Sequence, residues 1–143
     1  MRITKIQEKS DRLNKFLDEA WDHADKEHYP GRSFDWEKRK FMYTAVQEDE
    51  IVGYIEFTIQ ANVTYLDEII VSPKHYRKSI GKKLMEKVEE VSGNNDVHKI
   101  YFETGENWRS AVEFYKKLGY KIEGSLPRHF GDTDYVIFAK YLK

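Results

Sequence analysis

The chain has 143 residues, of which 40% are hydrophobic, 15% aromatic and 34% charged, and its formal net charge at pH 7 is −1. This length predicts a single domain over residues 1–143, and the balanced charge gives no reason to expect a nucleic-acid partner. The absence of cysteine excludes disulfides, thiolate metal sites and a cysteinyl acyl-enzyme, and we expect no metal ion. With no apolar run that could cross a bilayer and no signal-peptide core, we expect a cytoplasmic protein without a membrane partner.

Hydrophobic periodicity and turn residues predict the element order β-α-α-β-β-β-α-β-α-β-β. The first half is predicted to contain a strand (2–7), a helix (11–26), a loop with a Pro-Gly pair (28–35), a short helix (36–40) and three strands (41–47, 51–60 and 64–72). The second half is predicted to contain a helix from Ile80 to about residue 94, a strand (99–104), a helix stopped by Gly119 (108–118) and two strands (120–123 and 135–141). The order predicts an α/β (α+β) fold with a mixed, mostly antiparallel central sheet flanked by helices.

The most informative segment is the basic loop that joins the third of those consecutive strands to the helix beginning near Ile80. It reads Val71-Ser-Pro-Lys-His-Tyr-Arg-Lys-Ser-Ile-Gly-Lys-Lys-Leu84. A helix N-terminus attracts anions through its free N–H groups and its positive dipole end, and the lysines and arginine add positive charge. The spacing of its glycine fits neither a P-loop nor a dinucleotide-binding fingerprint. The loop therefore predicts a pyrophosphate site of another kind.

This loop resembles the acyl-CoA loop of the GCN5-related N-acetyltransferases, in which Gln/Arg-x-x-Gly-x-Gly/Ala follows a strand ending in Val-x-Pro. A second segment, Asn107-Trp-Arg-Ser-Ala-Val-Glu-Phe-Tyr-Lys-Lys-Leu-Gly-Tyr120, is similar to a later helix of that family, which usually ends in Tyr-x-x-x-Gly-Phe. The resemblance runs from about Phe41 to the C-terminus. Two positions depart from the pattern, with Tyr76 in place of Gln/Arg and Ser79 in place of the first Gly. Ser79 suits a helix N-cap through its hydroxyl, but its side chain would crowd a phosphate.

The resemblance implies an enzyme that transfers an acetyl group from acetyl-CoA to a primary amine of a small molecule or a peptide N-terminus. Direct attack in a ternary complex is expected, which agrees with the absence of cysteine. The alternative is a non-catalytic acyl-CoA-binding module of the same fold. A third class, a nucleic-acid binder using the basic helix, is disfavoured by the glutamates interleaved along that helix. The sequence also allows a homodimer.

For the cofactor, the resemblance implies that the pyrophosphate binds the backbone amides of residues 77–82. It also implies that the pantetheine arm pairs with the edge of the strand at residues 69–71, where one N–H would polarise the thioester carbonyl. The residues predicted to contact acetyl-CoA are Ile70, Val71, Tyr76, Arg77, Lys78, Ser79, Ile80, Gly81, Lys82 and Asn107. Asn107 is equally a candidate for a plain helix N-cap.

Amine acetylation needs an acid for the leaving thiolate and a base for the attacking ammonium. Tyr115 is the predicted acid, because it lies four residues before Gly119, where the family places such a tyrosine, and a phenol stays protonated at neutral pH. It also lies on the apolar stripe of its helix, so a structural role is the alternative. Glu103 and Glu68 are the candidate bases. Glu103 matches the proposed base of the branch that acetylates protein N-termini, and Glu68 lies on the strand that would flank the thioester.

The acceptor site is expected between two wall segments, residues 28–36 and 127–135. The nearby acidic residues that could together attract a cationic amine are Asp67, Glu68, Glu103, Asp132 and Asp134. Aromatic and acidic residues of this kind fit a polyamine, an amine metabolite or a peptide equally well. The sequence therefore leaves the acceptor open among these three classes.

Overall fold

The computed structural model describes residues 1–76 and 79–143, which divide into two compact units, Met1–Phe34 and Asp35–Lys143. The first unit contains helix α1 (Asp11–His28), in agreement with the amphipathic helix predicted there. Its N-cap is Ser10, whose Oγ accepts a hydrogen bond from the Leu13 N–H at 3.2 Å, as short hydroxyl side chains do at helix starts. The strand predicted at residues 2–7 is wrong, because those residues pair with no strand in the part of the chain that the structure describes, and an isolated strand is not stable.

Within the described residues, the unit Asp35–Lys143 forms a six-stranded sheet and two α-helices. The strands are β1 (Arg39–Gln47), β2 (Glu50–Gln60), β3 (Val63–Val71), β4 (Lys99–Gly105), β5 (Lys121–Phe130) and β6 (Thr133–Tyr141), and the helices are α2 (Ile80–Asn94) and α3 (Arg109–Lys117). The strand order is β1-β2-β3-β4-β6-β5, and every neighbouring pair is antiparallel except β3 and β4. This architecture confirms the predicted mixed, mostly antiparallel sheet with helices. The prediction of a single domain stays a prediction.

The short helix predicted at residues 36–40 is also wrong, since β1 already begins at Arg39. The Asp35 carbonyl accepts a hydrogen bond from the Ala61 N–H at 2.8 Å, and the Trp36 carbonyl accepts one from the Gln60 side chain at 2.9 Å. These bonds hold the backbone extended beside β2. A five-residue helix has too few internal hydrogen bonds to compete with them.

Tight turns determine the pairing of β1, β2 and β3. Glu48 and Asp49 have φ angles of 49° and 63°, and Ala61 and Asn62 have φ angles of 50° and 63°. Two-residue loops with positive φ at both positions match the natural twist of a hairpin. The turn predicted near Glu48 is therefore present, and the two turns set which side chains of the three strands share a face.

Helices α2 and α3 cover one face of the sheet, which is called the core face below. Gly53 lets α2 approach β2 closely, because a Cβ at that position would lie 3.0 Å from Leu84 Cδ1. Thr64 and Ser92 are fully buried and share a hydrogen bond of 2.7 Å, so the contact between β3 and α2 leaves neither hydroxyl unpaired. None of the helices among the described residues is long and apolar enough to span a membrane.

The last two strands differ from their predicted bounds. Strand β5 continues to Phe130, and Phe130 faces Thr133 across the turn, so most of the predicted 127–135 wall loop is a β-hairpin. The register is irregular between Leu126 and Phe130, and Arg128 has a φ angle of 50°. The hairpin is held at this irregularity by the Arg128 N–H, which donates to Asp134 Oδ1 at 2.8 Å.

Candidate functional site

The two parallel strands β3 and β4 are paired only near their N-terminal ends. Val63–Tyr65 lie in register with Lys99–Tyr101, and no pair follows among the described residues. Where β3 pairs with β2, Asp67 is an extra residue that forms a bulge, with Leu66 opposite Phe57 and Glu68 opposite Glu56. A bulge of this kind bends a strand, so β3 diverges from β4, and over residues 66–71 the edge of β3 that faces β4 has no strand partner among the described residues. This divergence is called the split below.

A cleft of about 840 Å³ lies on the core-face side of the split, between β3, the loop that follows it, α2 and α3. The predicted cofactor contacts that line it are Ile70, Val71, Tyr76, Ser79, Ile80, Gly81 and Lys82. Arg77 and Lys78 lie outside the described residues. Asn107 lies in the exposed turn before α3 and does not line the cleft, and the α3 N-cap is Trp108.

The N-terminus of α2 borders this cleft and has the features of an anion site. Among the described residues, the first hydrogen bond of the helix runs from the Lys83 N–H to the Ser79 carbonyl at 3.0 Å. The N–H groups of residues 80–82 precede that bond, and no described residue accepts from them. With the positive end of the helix dipole and the side chain of Lys82 beside them, these amides fit a phosphate group.

Ser79 is the N-cap residue of α2, but its hydroxyl does not cap the helix as the sequence had suggested. Ser79 has φ 62° and ψ 16°, the left-handed conformation, and its side chain makes no capping hydrogen bond. A capping hydroxyl reaches the helix amides from an extended backbone, which Ser79 does not adopt. The left-handed region is the one that glycine occupies without cost, and glycine is what the family pattern has at this position.

Ser79→Gly is expected to raise the free energy of unfolding by about 0.5–1 kcal/mol, because relief of the left-handed strain exceeds the added entropy of the unfolded chain. Urea unfolding measures the change. Ser79→Ala is the matched control, since it removes the hydroxyl and keeps the Cβ, and it should not stabilise the fold. Equal stabilisation by alanine and glycine would mean that the hydroxyl, and not the backbone, is the source.

Tyr115 is positioned in the cleft by the end of α3. Gly119 has a φ angle of 92°, the Tyr120 N–H donates to the Tyr115 carbonyl at 3.1 Å, and the Gly119 N–H donates to the Lys116 carbonyl at 3.0 Å. This pattern is a Schellman motif, and it ends the helix where Gly119 was predicted to end it. The ring of Tyr115 packs on that of Phe102 in β4, with centroids 4.4 Å apart.

The hydroxyl of Tyr115 is available to a ligand. The residue lines the cleft and is only 7% exposed, and no described residue forms a hydrogen bond with its hydroxyl. Burial raises the pKa of Tyr115 to about 12, because it disfavours the phenolate. The side chain is therefore a protonated donor over the whole physiological pH range.

Some residues of the cleft were not predicted. Ala111, Phe114 and Leu118 line it together with Tyr115, and their helical spacing is the signal that could have identified them. A Cβ on Gly81 would lie 3.2 Å from Phe114 Cζ, so the close packing of α2 on Phe114 is a structural reason for a glycine at this position. His75 lines the same cleft, and its Nδ1 is buried without a hydrogen-bond partner among the residues that the structure describes.

The two candidate bases differ in their surroundings. Glu103 follows Phe102 in β4 and therefore faces away from the core face and from Tyr115. Its Oε1 accepts a hydrogen bond of 2.5 Å from the Tyr65 hydroxyl. Burial and the adjacent Glu103 raise the pKa of Tyr65, so this hydroxyl stays protonated and keeps donating. Glu68 is exposed on β3, and no described residue forms a hydrogen bond or an ion pair with it.

The remaining predicted acids have partners of their own. Asp67 accepts a hydrogen bond from Thr58 at 2.7 Å, on the same side of the sheet as Glu103. Asp132 forms an ion pair with Arg128 at 3.3 Å, and Asp134 accepts from the Arg128 backbone, so both belong to the β5–β6 hairpin. Tyr65 was missed in the sequence because its meeting with Glu103 depends on the register of two strands far apart in the chain.

Comparison with known proteins agrees with this arrangement. Residues 10–120 match the model of the acetyltransferase (GNAT) family, so the similarity starts earlier than the predicted Phe41. The spermidine N(1)-acetyltransferase of Thermoplasma acidophilum is 25% identical over 97 residues, which are 68% of this chain and 57% of that protein. The match thus spans little more than half of that relative's length.

Solved structures share the fold. An acetyltransferase from Bacillus cereus ATCC 14579 has a TM-score of 0.72 at 17% identity, over 97% of this chain and 98% of its own. The ribosomal-protein-S18-alanine N-acetyltransferase from Escherichia coli has a TM-score of 0.70 at 18% identity, and the match covers 73% of this chain and 70% of that one. A protein from Bacillus anthracis strain Ames assigned as a streptothricin acetyltransferase was solved in complex with acetyl coenzyme A. It has a TM-score of 0.68 at 22% identity, and the match covers 73% of this chain and 64% of that one. Because the family model covers more than half of the sequence, this chain belongs to the acetyltransferase (GNAT) family.

Proposed function

We propose that this protein transfers an acetyl group from acetyl-CoA to a primary amine by direct attack in a ternary complex. The observation that carries the proposal is the split, which has the Tyr115 hydroxyl on its core-face side and Glu103 with Tyr65 on the other. The names of the spermidine and S18-alanine acetyltransferases support an amine acceptor, and the acetyl-CoA complex of the Bacillus anthracis protein supports the donor.

The cleft has the groups that acetyl-CoA would need. The amides of residues 80–82 and the Lys82 side chain would bind its pyrophosphate. The unpaired edge of β3 would bind its pantetheine arm as an added strand would. Since the Ser72 N–H donates to Val52 on β2 at 2.8 Å, the N–H of the preceding Val71 points to the open edge. When bound, acetyl-CoA supplies the acetyl group as a reactive thioester.

The residues of the chain would then divide the proton transfers between the two faces of the sheet. The Glu103 carboxylate accepts a proton from the attacking ammonium, and Tyr65 holds that carboxylate in position. The Val71 N–H donates to the carbonyl oxygen as negative charge grows there. As the bond from nitrogen to the carbonyl carbon forms and the carbon–sulfur bond breaks, the Tyr115 hydroxyl donates its proton to the departing sulfur. The second proton that the nitrogen loses passes to solvent, from which Tyr115 is protonated again. Acid and base stay apart because they lie on opposite faces of β4.

The first test is isothermal titration with acetyl-CoA, with CoA and dephospho-CoA as comparisons. Micromolar binding of the first two supports the cofactor site, and CoA release is then measured with polyamines, amine metabolites and peptide N-termini. Tight binding without release for any amine would instead support a non-catalytic acyl-CoA-binding module. Absence of binding at millimolar cofactor would contradict both.

Gly81→Asp is expected to weaken acetyl-CoA binding about tenfold or more, because it adds an anion beside the amides proposed for the pyrophosphate. Gly93→Asp is the matched control, since it places the same side chain near the other end of α2, where a Cβ meets no atom within 4 Å. Titration calorimetry measures both dissociation constants, and thermal unfolding checks that both variants fold. Unchanged binding by folded Gly81→Asp would mean that the phosphates lie elsewhere.

A further inference from the structure

A second cavity lies on the side of the sheet opposite the core face. Lys40, Thr58, Tyr65 and Tyr101 form one row across four neighbouring strands, since each is the register partner of the next. The cavity over this row has a volume of about 650 Å³. Trp36 contributes to its lining together with the two tyrosines, so its walls combine aromatic rings with polar groups. A cavity of this size suits a small molecule.

The charges around this cavity are separated along the strands. On the side towards the split, the next row carries Glu56, Asp67 and Glu103, each two residues from a member of the central row, and of these Asp67 lines the cavity. Away from the split the cavity is lined by Lys38, which lies two residues before Lys40 and immediately precedes β1. The cavity therefore has an acidic end at the split and a basic end away from it.

The two ends differ in how far their charges are already neutralised. Lys40 Nζ is paired with Glu56 at 3.3 Å, which removes one charge of each sign. Asp67 and Glu103 accept hydrogen bonds from neutral hydroxyls, those of Thr58 and Tyr65, and no lysine, arginine or histidine among the described residues forms an ion pair with either. Lys38 is exposed and forms no ion pair or hydrogen bond with any residue that the structure describes. A negative group on a ligand would supply its missing partner.

We propose that the acceptor is a small aminocarboxylate, a primary amine whose carbon chain ends in a carboxylate. This inference rests on the proposed function and specifies its substrate class. The ammonium binds at the acidic end beside Glu103 and Asp67, where the split leads to the cleft, and the carboxylate binds Lys38. The carbon chain lies on the rings of Tyr65 and Tyr101. Positions four residues apart along a strand are separated by about 13 Å, so a chain of several methylenes suits the distance between the two ends.

Three straight-chain acceptors that differ at one end test this assignment: ω-aminooctanoate, octylamine and diaminooctane. The wild-type protein should use ω-aminooctanoate with a kcat/KM about tenfold above that of octylamine, as one added ion pair allows in a partly shielded site. Diaminooctane should be poorest, because its second ammonium meets Lys38. Lys38→Glu should reverse the order of the aminocarboxylate and the diamine. Lys121→Glu, the same charge change on exposed β5, should leave the order unchanged.

Preference of the wild type for the diamine, or an unchanged order in Lys38→Glu, would overturn the assignment while leaving acetyl transfer intact. Binding of ω-aminooctanoate to the protein saturated with CoA provides a readout independent of turnover. Binding that Lys38→Glu weakens, without CoA release from acetyl-CoA, would support the site and overturn the proposed function. Absence of binding that depends on Lys38 would overturn the substrate class, whatever the rate of CoA release.

Discussion

Tyr115→Phe is expected to lower kcat about 10- to 100-fold while leaving the dissociation constant of acetyl-CoA nearly unchanged, since a positioned general acid contributes at least this much. The hydroxyl is lost from a side chain that lines the cleft and is not hydrogen-bonded to any described residue. The ring that packs on Phe102 remains, so the fold should be little affected. Steady-state rates of CoA release and titration calorimetry measure the two quantities.

Tyr120→Phe is the matched control for this experiment. Tyr120 is buried in the same aromatic cluster, with its ring 6.3 Å from that of Tyr115, but it does not line the cleft. Its hydroxyl donates to Glu89 at 3.4 Å, so its loss removes a hydrogen bond without touching the site. Wild-type turnover in Tyr115→Phe, or an equal loss in Tyr120→Phe, would assign Tyr115 a structural role only.

The raised pKa of Tyr115 also predicts how the rate and the fold respond to alkaline pH. Because its pKa is about 12, the acid stays protonated through pH 10, where an ordinary tyrosine would already be half ionised. The acid should therefore not limit kcat below about pH 11. The folded state binds this proton more tightly than the unfolded chain, so its stabilising contribution is complete below about pH 10 and is lost as pH rises towards 12.

Glu103→Gln is expected to lower kcat/KM at neutral pH about 100-fold and to remove the acidic limb of the pH–rate profile, because the amide cannot accept the ammonium proton. Glu68→Gln, which changes an exposed carboxylate on the neighbouring strand, should retain that limb and most of the rate. The profiles of the two variants, measured over the same pH range, distinguish them. Loss of the limb in Glu68→Gln alone would move the base to Glu68.

Tyr65→Phe separates the positioning of the base from its chemistry. Removing the hydroxyl that donates to Glu103 should lower kcat, but less than Glu103→Gln does, and the acidic limb should remain. An unchanged kcat would mean that this hydrogen bond serves packing between β3 and β4 only.

Several parts of the site could be predicted from the sequence because their signals are local. The start of α2 at Ile80, the stop of α3 at Gly119 and the inward-facing Tyr115 all depend on spacings within a few residues. Local signals failed where a short segment takes its conformation from its neighbours. Residues 2–7 are too few to form a strand without a partner, and they have none among the described residues. Residues 36–40 are too few to form a stable helix, and hydrogen bonds to β2 hold the start of this segment extended.

The fold class and several residues that line the cleft could be predicted from the sequence, since hydrophobic period and turn chemistry are properties of adjacent residues. The point where β3 leaves β4 could not be predicted in this way, because a one-residue bulge at Asp67 changes the register of the strand without changing its composition. The contact between Tyr65 and Glu103, 38 residues further along the chain, also depends on strand pairing. The same holds for the acidic and basic ends of the second cavity, since pairing of β1, β2, β3 and β4 brings together charges that no local sequence pattern connects.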